Sequence, residues 1–251
     1  MSLLNSGNSK TRKGEKKGFT TYGLHLAPAN LSGFNVCKDA SIGCGNACLN
    51  TAGRGAMNSV QKARIKKTLF FFKDKQKFLA ELWAEVSKSI KSASRKGMTP
   101  CFRLNLTSDL PWEKIKFNGQ SVFEAFPLVT FYYYTKSPER MTAFLSSQRV
   151  PQTWAGNMAW VAQGGRDFPK NYHLTFSRSE TNGEIALSFL ESGGNVAMVF
   201  RKSLPTSYLG FEVVDGDETD LRFLDGSGKI IGLKEKGLAK KDETGFVLEP
   251  A

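Results

Sequence analysis

A chain of 251 residues and 27.7 kDa is long enough to bury a core, as one large domain or two small ones. Its 40% hydrophobic and 23% charged residues exclude wholesale disorder. No apolar run approaches the roughly 18 residues of a membrane span, and MSLLNSGNSKTRKGEKKG lacks the apolar core of a secretory signal, so a cytoplasmic protein is expected. The net charge is +12, and its placement is uneven. Residues 1–100 hold 18 Lys/Arg against 5 Asp/Glu, whereas the remainder holds 17 against 18. The excess sits in a leader (Lys10, Arg12, Lys13, Lys16, Lys17) and in a run through Lys62, Arg64, Lys66 and Lys67 to Lys73, Lys75 and Lys77. Such asymmetry suits a surface facing a polyanion, and nucleic acid is the commonest one in a cytosol. A solvated helix face with a disordered tail is the plainer alternative.

In chain order, residues 1–18 read as a flexible basic leader and 19–251 as a single α/β domain. Phe19–Ala27 is rich in β-formers and stops at Pro28, as a first strand would. A Gly- and Cys-rich loop runs to about Gly55. Residues 57–73 and 74–95 then read as helices, with Phe78, Leu82, Val86 and Ile90 at helical spacing and Asp74 as N-cap. Strands follow at Cys101–Leu106, Leu128–Tyr134, Tyr172–Phe176, Val196–Phe200 and Phe211–Val214. Helical segments near Val122–Phe126, Pro138–Ser146 and Ile185–Ser192 separate them, with an irregular stretch at Trp154–Gly165. The tail, Leu221–Leu248, carries Gly-rich turns and reads as short strands or a β-hairpin. Strand–helix alternation predicts a mainly parallel sheet with crossover helices, either a partial six-unit barrel or an open doubly wound sheet.

In such folds function gathers at the C-terminal ends of the strands. The first strand exits into the cysteine loop and the second into Thr107-Ser108-Asp109. The third exits into Thr135-Lys136-Ser137, the fourth into Ser177-Arg178-Ser179, the fifth into Arg201-Lys202 and the sixth into Asp215-Gly216-Asp217. Asp109, Lys136 and Asp217 are therefore candidate catalytic residues, with Ser108, Ser177, Arg178 and Arg201 as candidate substrate contacts. The bland reading is that strand ends meet solvent and loops are polar anyway.

The cysteines carry the sharpest chemistry. Cys37, Cys44 and Cys48 form C-x6-C-x3-C, with Gly43 and Gly45 freeing the loop to wrap round a metal. Three thiolates from one loop suit zinc or an iron–sulfur cluster, and a three-cysteine site leaves one coordination position open. Cys101 starts the second strand, roughly 20 Å from that strand's C-terminal end at about 3.3 Å per residue, and reads as a core cysteine. Unligated thiols, or a structural zinc completed by His25 or a carboxylate, are the alternatives. His25 could face the site or be a satisfied core histidine; His173 reads as structural. Asp215, Asp217 and Asp220 lack calcium-loop spacing and read as an Asp-bearing turn, with magnesium or a cationic substrate group as the alternative. Phe131–Tyr134 alternates across a strand, so one pair can line the site while the other packs under a helix.

The segments GLHLAPANLSGFNVC, GC..AC, RLNLTSDLPWE, FYYYTKSP, LTFSRSE, VVDGDETDLRF and GLKEKG resemble a family of phage and prophage proteins known by a gene-product label. The resemblance runs from about Gly7 to Val247 and implies a phage context, hence the host cytoplasm. A second resemblance is architectural. A strand, a three-cysteine loop, a helix and further βα units are similar to the partial barrel of radical S-adenosylmethionine enzymes. That likeness implies a [4Fe-4S] cluster on Cys37, Cys44 and Cys48, with S-adenosylmethionine at the open iron. The chain departs from the C-x3-C-x2-C spacing of that superfamily and has Thr107-Ser108-Asp109 where its Gly-Gly-Glu would stand.

The expectation is a phage-encoded metalloprotein, iron–sulfur first and zinc second, acting on nucleic acid or a nucleotide-derived substrate. A zinc-stabilised DNA- or RNA-binding protein without catalysis is the first alternative. A phage–host interaction factor whose basic face binds an acidic host protein is the second.

Overall fold

The computed structural model describes residues 1–6, 12–148, 150–154, 157–161 and 168–250. Its centre is a ten-stranded sheet. In chain order the strands are β1 (Leu4–Asn5), β2 (Phe19–Leu24), β3 (Thr99–Arg103), β4 (Thr130–Thr135), β7 (Tyr172–Ser177), β8 (Val196–Phe200), β9 (Ser207–Tyr208), β10 (Phe211–Asp215), β11 (Ile230–Lys234) and β12 (Val247–Leu248). Numbers β5 (Val150–Trp154) and β6 (Asn157–Val161) belong to a separate antiparallel pair, where the sequence suggests irregular chain. The rest of that stretch, residues 155–156 and 162–165, lies outside the described residues. The main sheet runs β1-β2-β3-β4-β7-β8-β11-β10-β9, with β12 joined to β8. The pairs from β2 to β10 are parallel, and only the short edge strands β1 and β9 run antiparallel. The sheet is open, in keeping with strand–helix alternation.

Among the described residues six α-helices accompany it: α1 (Ile42–Asn46), α2 (Asn58–Lys73), α3 (Lys75–Ser94), α4 (Val122–Ala125), α5 (Pro138–Gln148) and α6 (Gly183–Glu191). Alternation along each strand sorts the core. Tyr22, Phe102, Phe131, Tyr133, Leu174, Phe176, Met198 and Phe200 pack into one cluster with Phe71, Phe78, Leu82, Val86, Met141 and Phe189 of the helices. Tyr22, Phe102 and Phe131 stack in sequence across three strands, with ring centroids 5.4 and 5.5 Å apart. Full burial of each such side chain contributes about 1.5–3 kcal/mol. As expected, the Asp74 carboxylate caps α3 by accepting the Lys77 N–H at 3.2 Å.

The opposite face carries the residues of the other parity: Thr21, Cys101, Arg103, Tyr132, Tyr134, Ser177, Val199 and Leu233. Its lower part is covered by a small cluster in which Leu221 and Phe223 meet Cys101, Tyr132 and Phe19. Its upper part, at the strand C-termini, is a cavity.

Three expectations need correction. The tail is not a β-hairpin. After β10 the chain crosses back through the 3-10 turn Arg222–Leu224, so β11 starts at the same end of the sheet as β8 and pairs parallel to it. This inserts β11 between β8 and β10. β12 is also parallel to β8, at Val199 and Phe200; because β11 fills the other edge of β8, β12 continues the edge whose first part pairs with β7.

Second, the leader is partly built into the fold. Leu3 and Leu4 are core residues, and the Glu85 carboxylate accepts their backbone N–H groups at 2.7 and 2.8 Å. Lys13–Lys17 forms a 3-10 turn in which Lys13 Nζ donates to the Asp217 carbonyl and Lys17 lies 3.6 Å from Glu218. These contacts join the approach to β2 with the exit of β10, so the open sheet is curled and its flanks are bridged by side chains.

Third, Arg64 and Lys67 do not face outward with Lys62 and Lys66. They lie on the inner side of α2, each 8% exposed. Arg64 donates to Asn50 Oδ1 and Lys67 Nζ to the Leu3 carbonyl.

Candidate functional site

The cavity over the strand ends has a volume of about 230 Å³. Cys37, Cys44 and Cys48 all line it, together with Arg103, Ser108, Asp109, Tyr134, Lys136, Ser177 and Asp217. Leu106, Val199, Leu233 and Phe246 supply apolar wall. Thus the first, second, third, fourth and sixth sequence-predicted strand exits do meet at one place.

Local hydrogen bonds explain how the cysteine loop is held there. Asp109 N–H donates to the Val36 carbonyl at 2.7 Å, and Thr107 Oγ1 donates to the Leu26 carbonyl at 2.6 Å, tying the loop to the exit of β3. The Ser41 side chain caps α1 by accepting the Cys44 N–H at 3.1 Å. Glu180, beyond β7, accepts from both Ser41 Oγ and Gly43 N, each at 2.7 Å. A Cβ at Gly43 would sit 2.3 Å from Thr244 Oγ1 and 2.7 Å from Phe246 Cβ, so only glycine allows this approach.

All four cysteines are free thiols. Burial pushes Cys37 up to about 11 and raises Cys44 and Cys48; Lys136 counters this at Cys44, and Arg64 and Lys136 counter it at Cys48. The Asn50 N–H points at Cys48 Sγ from 3.5 Å. Among the described residues no three His, Cys, Asp or Glu side chains meet closely enough to hold a single ion. The cavity's two carboxylates are committed elsewhere. Asp109 accepts from Arg140, from Thr135 Oγ1 at 3.0 Å and from the Lys136 N–H at 2.8 Å; Asp217 accepts from Lys236 and from the Lys234 N–H at 3.0 Å. Neither stands as a free base. The donors left to face the cavity are sulfur, which suits a soft metal.

Lys136 reaches Ser177 Oγ at 2.7 Å and two carbonyl oxygens, of Ser177 and Arg178, at 3.4 and 3.5 Å. Its ammonium lies 5.1 Å from the centre of the Phe246 ring. Burial lowers its pKa, against the pull of Cys44 and Asp109. Ser108 Oγ donates to Asn105 Oδ1 at 2.8 Å.

Arg178 and Arg201 do not line the cavity. The Arg178 guanidinium holds the carbonyls of Gly245 and Phe246, and that of Arg201 holds Glu249 and the carbonyls of Lys240 and Asp242. Both clamp the segment leading to β12, the short strand whose place is not legible in sequence. His25 does not line the cavity either. Burial, with Arg64, Lys67 and Arg103 nearby, drops its pKa to about 3, so it stays neutral, 3.2 Å from Asn5 Nδ2. Of the basic residues, Arg12, Lys13, Lys16, Lys17, Lys62 and Lys66 are exposed, whereas Lys10 lies outside the described residues.

Sequence reasoning misses Arg103, Glu180 and Phe246, while Tyr134 belongs to the aromatic run of which one pair is expected to line the site. Arg103 stacks over Tyr134 at 4.5 Å and donates to both oxygens of buried Asp220, at 3.0 and 2.9 Å. The alternation in CFRLNL, with Cys101, Arg103 and Asn105 on one face, is the signal that could have found it.

A family model described as gene product 88 matches residues 2–250. The chain belongs to the gene product 88 family. No curated protein and no solved structure matches it. No helix of the described residues is long and apolar enough to cross a membrane.

Proposed function

We propose that this gene product 88 chain is a metal-dependent enzyme whose cavity uses Cys37, Cys44 and Cys48 to hold a soft centre. An iron–sulfur cluster is the first choice. The observation that carries the reading is that all three thiols line one cavity at the C-terminal ends of parallel strands, where Lys136 and Arg103 also stand. A cluster distributes its ligands over separate iron atoms, so it asks for thiols around a space rather than three at one point. When bound, it would supply a redox-active iron with one open coordination position. S-adenosylmethionine is the cosubstrate that the partial-barrel resemblance implies, and a nucleotide-derived molecule is the substrate class suggested by the basic charge. The chain's own part is to fix the loop through Glu180, exclude water with Phe246 and Leu233, and present Lys136 and Ser177 to the bound molecule.

Protein purified without oxygen should be brown, with iron and sulfide in comparable amounts, and Cys44→Ala should be colourless. The exposed lysines of α2 favour a second reading, a zinc-stabilised nucleic-acid-binding protein without catalysis. Stoichiometric zinc without iron would select it. Folded protein free of all metal would overturn both.

A further inference from the structure

The cavity holds a cation with no carboxylate in contact among the described residues. Lys136 Nζ is met by one hydroxyl and two carbonyl oxygens, and no described carboxylate lies within 4 Å of it. Of the two carboxylates that line the same space, Asp109 is bound to Arg140, its contact with Lys136 being through the backbone N–H, and Asp217 is bound to Lys236. A half-buried ammonium held by neutral acceptors alone is stabilised when a negative group joins it. The two carbonyl contacts are at the long limit of hydrogen bonding, so those N–H groups can turn toward a better acceptor at little loss. Ser177 Oγ accepts from Lys136, which leaves its own proton to donate. Lys234 lines the cavity and is exposed. Beside these polar groups stand Val199, Leu233 and Phe246, which supply apolar wall to the cavity of about 230 Å³.

We infer that Lys136 and Ser177 form the anion subsite of this cavity, binding the carboxylate or phosphate of a small molecule whose apolar body lies against Val199, Leu233 and Phe246. The subsite rests on the reading of this cavity as the active site, but it needs no metal to be measured. A polymer does not fit within the cavity, so any nucleic acid would meet the protein on its outer surface, presenting at most a terminal group to Lys136.

Calorimetric titration with benzoate, phenyl phosphate and neutral benzamide tests the assignment, with metal content determined on the same samples. The anions should bind at least about tenfold more tightly than benzamide in wild-type protein. That preference should vanish in Lys136→Met, weaken in Ser177→Ala, and persist in Lys136→Arg, which keeps the charge and guards against a folding artefact. Lys91→Met, on the exposed side of α3, should change nothing. Tighter binding of phenyl phosphate assigns a phosphate, and tighter binding of benzoate a carboxylate. Equal affinity for anion and amide, no binding of any probe, or a preference that survives Lys136→Met overturns the inference. Metal bound to the cysteines with no anion preference defeats the subsite alone. A Lys136-dependent preference in protein that never takes up metal defeats the metal reading alone.

Discussion

The Glu180 carboxylate holds the backbone of Gly43, 2.7 Å from its N–H, and so fastens the cysteine helix to the exit of β7. The second oxygen accepts from Ser41 at 2.7 Å, which makes the contact a two-point latch. Because α1 has only five residues, its position depends on this latch and on its contact with Phe246 rather than on helical propensity. Gly43→Ala should therefore cost about 1–3 kcal/mol in urea unfolding, as overpacking does. It should also raise the rate at which a thiol reagent modifies Cys44. An unchanged rate would show that the helix does not need the close approach.

The latch has a pH dependence of defined sign. Burial raises the Glu180 pKa, but the hydrogen bonds from Gly43 and Ser41 outweigh it and the net shift is downward. A carboxyl group held below its ordinary value of 4.5 contributes stability that is complete above that value and is lost as pH falls through the lower folded value. Modification of Cys44 should accelerate in that acid window relative to the intrinsic reactivity of the reagent, and Glu180→Gln should abolish the dependence.

Arg140 anchors the other side of the cavity. Its guanidinium meets Glu113 at 2.7 and 2.9 Å and Tyr172 at 3.0 Å, and it also binds Asp109. Glu113 is 1% exposed. Arg140→Ala leaves the buried Glu113 and the half-buried Asp109 without their cation and should cost about 3–5 kcal/mol by denaturant unfolding. Arg140→Lys should restore little, because an ammonium cannot serve Glu113 through two parallel donors while also reaching Asp109. Full rescue by lysine would show that charge alone, not the fork, supports the site.

Much of the fold is legible in the sequence because its strands carry period-two signals bounded by loops. The Phe131–Tyr134 run shows this: Phe131 and Tyr133 pack under the helices, while Tyr134 lines the cavity. The strand exits also converge as a parallel sheet requires. What is illegible comes from long-range geometry. Nothing local says that β11 inserts between β8 and β10, because strand order is set by the path of residues 216–229 beneath the sheet. Nor does charge alone separate Lys62 from Arg64. Two residues of separation on α2 place them on different sides, and only the packing of Leu3 and Asn50 against that side shows which is buried. Arg178 and Arg201 follow the strand ends as expected but are drawn to backbone carbonyls of a segment some 40–70 residues later.

Cys101 and Cys44 should behave oppositely in metal binding. Cys101 Sγ lies 3.2 Å from Thr21 Oγ1 on the covered part of the sheet, packed with Tyr132 and Leu221. Cys101→Ser should leave metal content unchanged, while Cys44→Ala should remove most of it. Loss of metal in both variants, with Cys101→Ser still folded by circular dichroism, would show that a fourth thiol joins the site.

The basic surface yields a prediction that the burial of Arg64 and Lys67 makes sharper. Deleting residues 1–17 would remove Leu3 and Leu4 from the core, so that variant would confound charge with stability. Charge reversal on the exposed side of α2, Lys62→Glu with Lys66→Glu, separates the two. If polynucleotide binds there, the logarithm of affinity should fall linearly with the logarithm of salt, at about 0.7–0.9 per phosphate neutralised. The double variant should flatten that slope by about one to two units without altering sequence preference. Arg64→Gln and Lys67→Gln should instead lower thermal stability and leave the slope nearly intact, since neither side chain faces a ligand from the outside. Filter binding of labelled single- and double-stranded DNA and RNA at several salt concentrations reads the slope directly. Salt-insensitive or absent binding to all four would leave Lys62 and Lys66 as a docking surface for an acidic protein, and the phage–host interaction reading would take the place of nucleic acid.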